Sequence, residues 1–80
     1  MPNNNANINN GKKMANKGAN EIKEGVTQVA TGMNQIANGK VEEGNKNVTS
    51  GQNKINNGAK KVNNGNNMMA EGAKSALQQQ

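Results

Sequence analysis

The side chains able to do chemistry are few in number and in kind. The 80 residues hold five glutamates (Glu21, Glu24, Glu42, Glu43 and Glu71), two serines (Ser50 and Ser75), three threonines and ten lysines, with no His, Cys, Asp, Arg or aromatic residue. A hydroxyl becomes a nucleophile only beside a base that takes its proton, and a structural zinc needs thiolates or imidazoles, so triads, dyads and zinc sites are excluded by inventory. Gly39-Lys40 has neither the glycine five places earlier nor the hydroxyl residue after lysine that a phosphate-cradling loop requires. No two glycines lie closer than five residues, which removes the dinucleotide fingerprint as well. The expectation is a non-enzymatic chain with no cofactor and no metal.

The lysines give a net charge of +5. Without arginine or aromatic rings they offer phosphates a weak, salt-sensitive attraction but no bidentate base reading and no stacking platform. Weak binding to anionic surfaces is therefore compatible with the chain, and specific nucleic-acid recognition is not expected. Asn47-Val48-Thr49 has the form of a glycosylation sequon, a match that 19 asparagines make easy by chance. Uninterrupted apolar runs reach only two or three residues, as at Met68-Met69-Ala70, too short for a transmembrane helix or a signal peptide. The expected location is the cytoplasm.

Organisation emerges from the glycines. They fall at 11, 18, 25, 32 and 39, then at 44, 51, 58, 65 and 72, every interval being seven except a central five. Three residues before each stands a small or aliphatic side chain: Ile8, Ala15, Ile22, Val29 and Ile36, then Val41, Val48, Ile55, Val62 and Met69. The unit is apolar-x-x-Gly-x-x-x, ten copies in two blocks. Seven residues are two helical turns, so the repeat keeps apolar position and glycine on one face, whereas an odd period on a strand alternates faces. Ile22, Val26, Val29, Met33 and Ile36 follow the 4-3-4-3 spacing of a coiled-coil seam. Glu42–Lys46, Glu43–Lys46 and Glu71–Lys74 have spacings at which charges pair on a helix.

Local propensity opposes this. Ten glycines at roughly 1 kcal/mol and nineteen asparagines at roughly 0.6 kcal/mol disfavour a continuous helix, so any stable helix needs a partner surface. A five-residue interval also rotates the stripe by roughly 140° if the helix runs straight through, and a break near Asn38 to Gly44 removes the conflict. Gly39 suits the position one residue past a helix end. The expected fold is thus all-α, an antiparallel, coiled-coil-like helical hairpin, marginal or disordered as a monomer. Its parts are a disordered tail over 1–7, a first heptad helix over 8–38, a turn over 39–44, a second heptad helix over 45–76 and a polar tail over 77–80. The glycines act as packing notches or are inherited passively from duplication of a seven-residue unit. Ile22, Val26, Val29, Met33 and Ile36, facing Val48, Ile55, Val62 and Met69, form the expected interface. A β-solenoid with asparagine ladders, turning at its Asn-Gly steps, is the competing architecture.

The run Ile22-Lys23-Glu24-Gly25-Val26-Thr27-Gln28-Val29-Ala30-Thr31-Gly32-Met33-Asn34-Gln35-Ile36-Ala37-Asn38-Gly39 resembles the glycine heptads in the extracytoplasmic part of bacterial phage-infection-type membrane proteins. That resemblance implies long helical hairpins. With ten glycines, no cysteine or aromatic residue and a mean hydropathy of −1.06, the chain also resembles hydrophilins and late-embryogenesis-abundant proteins, which implies disorder in water and helix on drying. Two functions follow as expectations: a helical module for self-association or docking to a partner helix, or a stress-protective hydrophilin.

Overall fold

The computed structural model describes residues 4–78, with side-chain environments over 6–77. It consists of two helices, α1 (Asn4–Ala37) and α2 (Val41–Gln78), folded back on each other as a rod of 62 × 13 × 12 Å. The fold is an all-α antiparallel helical hairpin with extensive contact between its arms. Residues 4–7 and 77–78, expected in the tails, are helical, and the rest of both tails lies outside the described residues.

The turn is shorter than the expected 39–44, because α1 closes on a complete Schellman motif. Gly39 takes φ +90, its N–H donates to the Ile36 carbonyl at 3.0 Å, and the Lys40 N–H donates to the Gln35 carbonyl at 2.8 Å. A left-handed residue at this position satisfies the last carbonyls of the helix and reverses the chain at once. The Lys40 carbonyl then accepts the Gly44 N–H at 2.9 Å, the first bond of α2, and Glu42 and Glu43 place negative charge in its first turn, where the helix dipole favours it. Gly44 therefore lies inside α2 rather than at its threshold.

Glycine, not aliphatic side chain, occupies the centre of the seam. Gly11, Gly18, Gly25 and Gly32 of α1 and Gly44, Gly51, Gly58, Gly65 and Gly72 of α2 are the buried residues, and no apolar side chain is buried among the described residues. Glycines meet in pairs, Gly11 with Gly65, Gly18 with Gly58, Gly25 with Gly51 and Gly32 with Gly44, each pair centred on residue 38. A Cβ on Gly25 would lie 2.5 Å from the Gly51 carbonyl oxygen and 2.8 Å from Ile55 Cγ1. The α-hydrogen in its place points at that oxygen, and the relation is reciprocal in all four pairs. Such Cα–H···O contacts, about 0.5–1 kcal/mol each, nearly offset the helix propensity lost at each glycine. The heptad glycine is thus a packing notch.

A candidate interaction flank

With glycine at the seam centre, a step of 100° per residue decides what borders it. Residues three places after a glycine fall about 60° to one side; those four places after fall about 40° to the other, with those one place after further round on that same side. Because the arms are antiparallel and paired symmetrically, equivalent rows of both helices share one flank. The hairpin therefore has two unlike long flanks.

The first flank is polar and bonded across the arms toward the turn, while half-buried Met14 and Met68 occupy the same row toward the open end. Lys61 Nζ pairs with Glu21 Oε1, Asn47 Nδ2 donates to Gln35 Oε1 at 2.6 Å, and Gln28 Nε2 donates to Asn47 Oδ1 at 3.4 Å. Gln28 Oε1 is buried without a partner. Lys61–Glu21 is the ion pair among the described residues, while the Glu42–Lys46, Glu43–Lys46 and Glu71–Lys74 spacings stay unclosed, their side chains being exposed. Open grooves run beside this flank, one lined by Lys13, Lys17 and Lys61 with Met14 and asparagines.

The second flank is aliphatic. Six side chains four places after a glycine lie over a glycine of the opposite arm, Ile22 over Gly58, Val29 over Gly51, Ile36 over Gly44, Val48 over Gly32, Ile55 over Gly25 and Met69 over Gly11, and Val62 meets Gly18 through its backbone N. All seven are half-buried. The small notch lets each one rest against backbone, and leaves its other side facing outward. Seven of the nine residues expected at the interface are brought together in this way.

Val26 and Met33 are the other two, and the hairpin does not bring them into its seam. They stand one place after a glycine, about 100° from the seam centre, and are 53% and 62% exposed. A seam built around aliphatic side chains would have drawn them in; one built around glycine turns them outward, beside the aliphatic row. Val41, at the turn end of that row, is likewise 53% exposed, and no glycine of α1 reaches the position opposite it.

The heptad pattern marks the glycines as packing notches but does not put them at the seam centre, and it does not single out the polar row Glu21, Gln28, Gln35, Asn47 and Lys61. The signal for the row is that polar side chains recur three places after glycine in both arms, with Met14 and Met68 as the exceptions. No group of three acidic, His or Cys side chains able to hold a metal occurs among the described residues, and no helix there is long and apolar enough to cross a membrane. Compared with protein-family models, with curated proteins and with solved structures, the chain matches none.

Proposed function

We propose that this chain is a non-enzymatic structural module, a glycine-seamed hairpin that associates with a further helical surface through its aliphatic flank. The observation that carries this reading is the half-exposed aliphatic row, contributed by both arms and widened by Val26 and Met33, in a molecule with no buried apolar side chain among its described residues. Aliphatic surface left in water forgoes about 25 cal/mol for each Å² it could bury, and a second helical layer over the flank recovers that energy. The lysines add a weak attraction to anionic surfaces that salt screens.

Sedimentation equilibrium with parallel far-UV circular dichroism tests the reading. Replacing Val26 and Met33 together with Asn is expected to remove concentration-dependent association and leave the helical spectrum of the hairpin in place. Replacing Val29 and Val62 with Asn is expected to lower both. Association unchanged in the first variant would show that the flank is not the contact.

The lack of a buried apolar side chain among the described residues also favours a second reading, a hydrophilin-like protective chain. A hairpin held by notches and half-buried side chains is marginal in dilute buffer, and withdrawal of water tips it toward helix. A coil spectrum in buffer that becomes helical only on drying would select that reading.

A further inference from the structure

Resting on the reading of the flank as an interaction surface, we propose that its occupant is a second copy of this chain, laid antiparallel so that the two turns sit at opposite ends of a four-helix bundle. Two observations identify the occupant: the size of the flank and the distribution of charge along the rod.

The flank runs the length of the hairpin, and 62 Å by 13 Å presents about 800 Å² per copy, the size of one side of a standard stable interface. A single helix, ~10 Å across with its side chains, covers one arm of such a surface. A second hairpin covers both and offers the same two aliphatic rows in return, at the same seven-residue spacing. Two-fold pairing of one surface with itself is the commonest way that soluble chains associate.

Charge sets the direction. Residues 21–55, the half nearer the turn, carry Lys23, Lys40, Lys46 and Lys54 against Glu21, Glu24, Glu42 and Glu43, so 4 − 4 = 0. The remaining residues, the open half, carry Lys12, Lys13, Lys17, Lys60, Lys61 and Lys74 against Glu71, so 6 − 1 = +5. All of the net charge thus resides at one end. Stacking two hairpins with turns together sets +5 on +5 across a layer spacing of ~10 Å, close to one screening length at physiological salt. Reversing one copy sets each charged half on a neutral one and separates the two charged centres by about half of the 62 Å rod, several screening lengths. The reversed arrangement keeps the full contact area and sheds the repulsion.

The chain has no cysteine, so one introduced at Asn38→Cys in the turn takes a single spin label, and pulsed dipolar spectroscopy reads the turn-to-turn distance in the assembled full-length chain. The expected distance is about 60 Å, near the rod length. A label at Asn56→Cys, near mid-rod, is expected to report a much shorter separation in the same assembly. A turn-to-turn distance below about 20 Å, the span of two stacked layers, overturns the antiparallel arrangement and leaves the flank reading standing. A helical monomer at the highest soluble concentration overturns the second copy as occupant. Association that survives Val26→Asn with Met33→Asn overturns the flank reading itself, so the two failures are distinguishable.

Discussion

At a seam glycine two effects of opposite sign compete, and their magnitudes decide the outcome. Alanine in place of glycine gains about 1 kcal/mol of helix propensity. At Gly25 the new methyl would meet the Gly51 carbonyl at 2.5 Å and the Ile55 N at 3.0 Å, both backbone atoms that move only if the arms separate. Overpacking of this kind costs about 1–3 kcal/mol and loses the Cα–H···O contacts besides, so Gly25→Ala is expected to destabilise the hairpin. Asn53→Ala, on an exposed position of α2, is expected to raise stability by about 0.5 kcal/mol through propensity alone. Thermal or urea unfolding followed by circular dichroism gives both signs. Adding Gly51→Ala to Gly25→Ala should cost less than it does alone, because the arms are already apart; strict additivity would count against the shared notch. Gln28 offers a different test. Its Oε1 is buried and unpartnered while its amide makes only one long hydrogen bond, so Gln28→Met is expected to stabilise by on the order of 1 kcal/mol.

Among elements, the turn carries the most information in the fewest residues. Gly39→Ala puts a Cβ on a residue held at φ +90, where nothing crowds it, so the expected loss of about 1 kcal/mol is purely conformational. Gly39→Asn should recover part of it, since Asn tolerates this region better than Ala, and equal losses for both would argue against the Schellman geometry. The two arms, their antiparallel sense and the role of Gly39 were legible because a seven-residue period is helical and the central five interrupts it. What faces inward was not legible. Each heptad carries one aliphatic side chain and one glycine on the same face, and hydrophobic patterning assigns the centre to the larger of the two. Close approach of two backbones, which rewards the smaller, leaves no trace in a hydropathy pattern. The corrective signal lay in α2, where the places equivalent to Val26 and Met33 hold Gln52, Asn66 and Ala59, residues that a buried row would not accept so readily. The turn is shorter than the glycine spacing suggests because Gly44 pairs with Gly32 across the seam and so belongs to α2.

For the whole molecule, charge and shape combine. With +5 confined to the open half, self-repulsion between the arm ends opposes closure of the hairpin and weakens as salt shortens the Debye length from about 30 Å at 0.01 M to about 3 Å at 1 M. The midpoint of thermal unfolding is therefore expected to rise with sodium chloride. Lys13→Gln with Lys60→Gln should raise it at low salt and flatten the dependence. A midpoint that falls with salt would mean that the Lys61–Glu21 pair outweighs the repulsion, contrary to the usual small worth of a partly exposed ion pair.

The four glycine pairs are identical teeth, and a zipper of identical teeth closes in more than one alignment. Sliding α2 by seven residues sets Gly32 against Gly51 and Gly25 against Gly58, with an aliphatic neighbour again over each. What forbids the slide is the three-residue connection, whose extended reach of about 10 Å cannot cover both the ~9 Å between the arms and the ~10.5 Å displacement that seven helical residues represent. A chain given a long flexible connector would lose that check and populate several closures, whereas one shortened or lengthened by a whole heptad in both arms would mesh as before. The molecule is in this sense a ruler graduated in heptads, with its zero at the turn.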